Sequence, residues 1–136
     1  MYRRALPCLL VAALSCGRAA AAADGSGAYE TLRAAPRFAM GGVGYAGAIS
    51  REEQALRTSL ERPTAAADLQ RLVAEATLEG RLYALLGLKL LEHPSFDALV
   101  RPYLRSHENV RTMVGCMVDR ATAATIARRI RRGDYR

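Results

Sequence analysis

Residues 41–47 read Gly-Gly-Val-Gly-Tyr-Ala-Gly, and Gly42, Gly44 and Gly47 within them spell a literal G-x-G-x-x-G. In a dinucleotide site these glycines follow a buried strand and open a helix whose first amides meet the pyrophosphate. An acid about 20 residues on then holds a ribose. Only residues 37–40 precede the glycines after Pro36, one short strand at most. The next helix signal is Ser50, beyond the last glycine, so no helix dipole points at the loop. Glu61 or Arg62 falls at the ribose spacing without a strand to carry it. The bland reading is therefore preferred: a glycine loop entering a helix, pinned by Phe38, Met40, Val43, Tyr45 and Ile49. A sharper reading keeps Tyr45 as a side chain presented to a partner, and residues 41–47 as the loop of a small ligand binder or enzyme.

Other chemistry-bearing residues are sparse. Cys116 is the one cysteine outside the N-terminal sixteen residues, so the domain can hold no internal disulfide. Between Gly115 and Met117 it reads as a small buried apolar residue, with a reactive or intermolecular thiol as the alternative. His93 and His107 lack metal-ligand spacing to any acid or cysteine pair. Glu75 and Glu79 straddle an expected helix break. No catalytic residue, cofactor or metal follows from these patterns.

Charge is concentrated at one end. The formal net charge is +7, and residues 120–136 contribute six arginines against one acid. Arg128, Arg129, Arg131 and Arg132 fall in the last turns of an expected helix, where cations face the negative end of its dipole. They are also candidate contacts for an anionic partner such as lipid headgroups or an acidic protein. The apolar face beside them, Ala123, Ala127 and two isoleucines, is slight for a membrane-surface helix. No aromatic residues interleave with the arginines, which disfavours nucleic acid.

The positioning elements begin with export. Tyr2-Arg3-Arg4 precedes an apolar run over residues 5–14, of signal-peptide length and too short to span a bilayer. Two processing sites compete. Ala13-Leu14-Ser15-Cys16 resembles a bacterial lipoprotein box, in which Cys16 would carry lipid. Ala21-Ala22-Ala23 before Asp24 is an A-x-A site for plain secretion. A third reading is an apolar N-terminal helix of a cytosolic protein. The organisation expected is a signal over 1–23, a flexible tether over 24–36, a glycine-rich loop over 37–49, a helical domain over 50–133 and a tail over 134–136. The tether follows from a run of Ala, Gly and Ser over residues 17–28 that offers no bulk for a core.

Within the helical domain, Ser50-Arg51-Glu52-Glu53 is a capping box opening a helix over 51–61 that stops before Pro63. Thr64 opens a second, with Leu69, Leu72 and Val73 on one face. Thr77 opens a third whose leucines nearly surround it, marking it as the central helix. A fourth, from Phe96, should kink at Pro102. Residues 110–118 fit a helical stripe and a strand face equally well. Thr122 or Asp119 can cap the last helix, and Gly133 can close it.

A 30-residue period aligns Leu69–Val73 with Leu99–Tyr103 and residues 80–84 with 110–114. Leu69, Leu72 and Val73, then Thr77, Glu79, Arg81, Ala84, Gly87 and Leu88, then His93-Pro94, resemble a HEAT-type helical repeat. The likeness covers 65–106 and extends weakly to 130. It implies an all-α fold of stacked antiparallel helix pairs that binds other proteins, and it carries no catalytic residue. The chain also resembles uncharacterised exported bacterial proteins. The resulting expectation is a non-catalytic interaction module of the cell envelope, lipid-anchored through Cys16 or else periplasmic or extracellular, and open to self-association.

Overall fold

The computed structural model describes residues 19–136. Cys16 and residues 1–18 of the expected signal over 1–23 lie outside the described residues. The fold is mainly helical. Its elements run α1 Ala19–Arg33, β1 Gly42–Val43, β2 Ala48–Ile49, α2 Arg51–Leu60, α3 Ala65–Glu75, α4 Leu78–Leu90, α5 Phe96–Val100, a 3₁₀ turn Arg101–Arg105, β3 Asn109–Val114, β4 Met117–Thr122 and α6 Ala123–Arg132. Among the described residues, no helix is long and apolar enough to cross a membrane.

The central helix is α4, as its leucines require. Leu82, Tyr83, Ala84, Leu85 and Leu88 are fully buried, and α1, α2, α3, α5, α6 and β3 all pack against it. Thr77 caps it by accepting from the Gly80 amide at 3.1 Å. Ser50 caps α2 by accepting from the Glu53 amide at 3.0 Å, and Thr122 caps α6 by accepting from the Thr125 amide at 3.3 Å. Thr64 precedes α3 without a capping bond and donates to Asp68 instead. Pro102 cannot donate to the turn before it, so the helix begun at Phe96 tightens into the 3₁₀ turn after Val100.

The expected tether over 24–36 is corrected. Residues through Arg33 are helical, and Ala28, Leu32 and Ala35 are core residues. Small side chains here set close packing instead of flexibility. A Cβ placed on Gly80 would stand 2.1 Å from the Leu32 carbonyl oxygen, so the end of α1 rests directly on the first turn of α4. Thr77 clamps that contact twice, its amide donating to the Arg33 carbonyl at 3.0 Å and its hydroxyl to the Ala35 carbonyl at 2.8 Å. The secretory cleavage site before Asp24 falls inside α1.

The ambiguity over 110–118 resolves as a strand pair. β3 and β4 are antiparallel, with Met113 opposite Val118 and Val114 opposite Met117. Their two-residue turn is Gly115-Cys116, with Gly115 at φ +55°, which suits glycine at the first turn position. The 30-residue alignment therefore matches helix with strand in its second half, residues 80–84 being in α4 and 110–114 in β3. One helix pair, α3 and α4, carries the residues that suggested a helical repeat.

Candidate functional site

The glycine segment is a strand and hairpin, not a phosphate loop. Gly42 pairs with Ile49 and Val43 with Ala48, and residues 44–47 turn between them. Gly44 and Gly47 have φ of +70° and +62°, conformations that a side chain would strain. The approach to this hairpin runs parallel to β3. Phe38 donates to the Arg111 carbonyl at 2.7 Å, and Gly44 to the Gly115 carbonyl at 2.8 Å. Two two-stranded sheets, β1-β2 and β3-β4, are thus joined by isolated parallel bridges at Phe38–Thr112 and Val43–Gly115.

A buried polar latch holds that segment to the helices. The Tyr83 hydroxyl accepts from the Ala39 amide and donates to the Ala39 carbonyl, both at 2.8 Å. Ser50 Oγ donates to the same carbonyl at 3.0 Å. Glu53 Oε2 accepts from the Gly41 amide at 2.8 Å, while Oε1 accepts from Arg57 Nη2 at 2.7 Å. Burial pushes the Tyr83 phenol up to about 12. Arg37 Nε stands 4.0 Å from Glu52 Oε2, so that pair interacts through charge alone. The Glu53 carboxylate thus stands at the base of the glycine hairpin. An incoming phosphate would meet negative charge there, where a dinucleotide loop offers free amides.

Two of the five expected anchors act as such: Phe38 is buried, stacking 4.7 Å from the Tyr83 ring, and Met40 is half-buried. Val43 is also half-buried, but Tyr45 and Ile49 point to solvent. The expectation of a buried Cys116 is likewise corrected, because the cysteine sits in an exposed turn. Strand alternation explains the change: only Val110 of β3 reaches the core, and the rest of the hairpin projects beyond it.

These departures converge on one place. Val43 bridges to Gly115, so the tips of the two hairpins are neighbours. Tyr45, Ile49, Val114, Met117 and Val118 are five of the seven exposed large apolar side chains among the described residues. Tyr45 is fully exposed, and Met117 is 76% exposed. Val114 and Met117 lie on the same face of the hairpin as buried Val110, and Val118 on the outer face, where Arg111 stands directly opposite Arg120, a like-charged cross-strand pair.

On the other face of the sheet lies a cleft of about 300 Å³, closed by α6 and Tyr135. Phe38, Met40, Val114, Met117 and Ile126 line its apolar part, and Asp119 and Arg129 enter it from β4 and α6. Tyr135 packs edge-on against Phe38 at 5.4 Å. Burial raises its phenol, and the Arg129 cation pulls it back down.

The four arginines of α6 are exposed but not equivalent. Arg128 donates to the Leu104 carbonyl at 3.1 Å, and Arg132 pairs with Asp134 at 2.7 Å. Arg129 faces the cleft beside the Tyr135 phenol, and neither it nor Arg131 forms an ion pair among the described residues. His93 Nδ1 accepts from the Ser95 amide at 3.2 Å in the turn that ends α4, and His107 is exposed in a separate loop. The cleft and the apolar tips were missed in sequence because both depend on residues 38–45 pairing with 111–115, a contact some 70 residues distant. Comparison with protein families, curated proteins and solved structures finds no match for this chain.

Proposed function

We propose that this chain is a non-catalytic, exported interaction module of the cell envelope, and that it grips a protein partner with its paired hairpin tips. The observation that carries this reading is the clustering of Tyr45, Ile49, Val114, Met117 and Val118 at one exposed end. Contiguous exposed apolar surface is costly in water and marks contact sites. Tyrosine and methionine are suited to such sites, the one large and rigid, the other conformable. Arg111 and Arg120 beside the apolar tip favour a partner whose apolar contact is fringed by acids. The signal-like N-terminus supports export, with Cys16 as the lipid-anchor candidate.

The test is site-specific photo-crosslinking in native envelopes, with the probe at Tyr45, Val118 or, as a control, Glu61. The same protein adduct is expected from Tyr45 and Val118 and not from Glu61, and Val118→Asp should abolish it. Crosslinks to lipid alone would overturn the reading in favour of an anionic-surface binder. That alternative rests on Arg128, Arg129, Arg131 and Arg132, two of which already have intramolecular partners. It predicts liposome binding that is lost when all four become glutamine.

A further inference from the structure

The cleft on the inner face of the sheet has a composition that the interaction reading does not use. Its volume is about 300 Å³. Such a space lies at the small end of ligand sites. Two thioethers, Met40 and Met117, supply part of the wall, and Phe38, Val114 and Ile126 complete it. Thioether walls adjust to apolar groups of differing shape.

Two opposite charges enter this apolar space from different walls. Asp119 comes from β4 and Arg129 from α6. Neither takes part in an ion pair within 4.0 Å among the described residues. The one side-chain hydrogen bond of Asp119 is from the amide of its own neighbour, Arg120, at 2.7 Å. A simple carboxylic acid entering the cleft would be repelled by Asp119, and a simple amine by Arg129. A neutral apolar molecule would engage neither charge. A zwitterion with an apolar side group satisfies all three constraints.

We propose that this cleft binds a free apolar α-amino acid of the size of leucine, methionine or phenylalanine. The ammonium group is held by the Asp119 carboxylate, the carboxylate by the Arg129 guanidinium, and the side chain lies among the methionines. Binding of this kind is independent of the hairpin tips' outer face. It places a small-molecule site directly beneath the proposed partner surface, with Val114 and Met117 belonging to both.

The experiment is isothermal titration of the full chain with L-leucine, leucinamide and N-acetyl-leucine. Leucinamide lacks the carboxylate and N-acetyl-leucine lacks the ammonium. Leucine is expected to bind about ten-fold or more tighter than either blocked form, the worth of one charge-assisted hydrogen bond. Arg129→Gln should erase the preference for leucine over leucinamide and keep that over N-acetyl-leucine. Asp119→Asn should do the converse. Both side chains are exposed, so unchanged thermal unfolding of the variants is expected and verifies that the fold is intact. Absence of binding by leucine, methionine and phenylalanine at millimolar concentration overturns the proposal. So does equal binding of leucine and its two blocked forms. Loss of the hairpin crosslinks in the preceding section would leave this result untouched.

Discussion

Replacing Gly80 with alanine should destabilise the protein, although alanine is the better helix former. The gain in helix propensity is about 1 kcal/mol. Against it, the new Cβ would lie 2.1 Å from the Leu32 carbonyl oxygen and 2.9 Å from the Ala76 Cβ, where 3.4 Å begins ordinary contact. The obstructing atom is backbone, so α1 must retreat by more than an ångström. That overpacking costs about 1–3 kcal/mol. The retreat also stretches the two hydrogen bonds from Thr77 to the Arg33 and Ala35 carbonyls, at about 1 kcal/mol each. The net loss is about 2–4 kcal/mol, or a melting temperature lower by roughly 10 °C or more for a domain of this size. Gly27→Ala is the matched control. Nothing lies within 4 Å of its added methyl, so the propensity gain stands alone and stability should rise by about 1 kcal/mol. Both candidate cleavage sites leave Gly27 in the chain. Denaturant unfolding of the two variants reads the difference. A neutral or stabilising Gly80→Ala would refute the docking of α1 on α4. A Gly27→Ala with no effect would restore the tether.

Tyr83 should make the protein sensitive to alkali. Its phenol ionises near 10 when unfolded and at about 12 when folded, so unfolding releases a proton in that window. Stability is then full below pH 10 and falls as pH rises toward 12, by at most about 3 kcal/mol. Tyr83→Phe should cost about 2 kcal/mol at neutral pH and flatten that decline, as followed by urea unfolding across pH 8–12; an equally steep decline in the variant would count against the latch. Ser50→Ala removes a cap and the bond to Ala39, costing about 2 kcal/mol and speeding tryptic cleavage after Arg37. Cys116 in the folded protein should react with a maleimide at nearly its rate in denaturant, because its turn is exposed; strong protection would mean that the hairpin is covered.

The helices were legible because their signals are local. Ser50, Thr77 and Thr122 each cap the helix that they precede, and Pro102 ends regular α-geometry where a missing amide must. The leucines around α4 mark it as central before any neighbour is known. Residues 110–118 could not be assigned from pattern, because apolar residues there satisfy periods of 2 and 3.6 alike. Residues 24–36 misled in a more instructive way. Alanine and glycine look like absent bulk in a sequence, yet here Ala28 and Gly80 are small because helices meet closely at them.

By itself the sequence determined a mainly helical domain, the starts of α2, α4 and α6, the central place of α4 and the concentration of arginine at one end. Each of these depends on residues within a turn or two of one another, or on composition alone. Only the tertiary structure decided that residues 38–44 lie along β3, that Tyr45 and Val118 share one exposed end, and that Asp119 and Arg129 enter one cleft. The reason is that backbone pairing between distant segments has no local sequence code. The Ala39 amide and carbonyl find Tyr83 because burial leaves them no water to bond, and that condition exists only once α4 is packed.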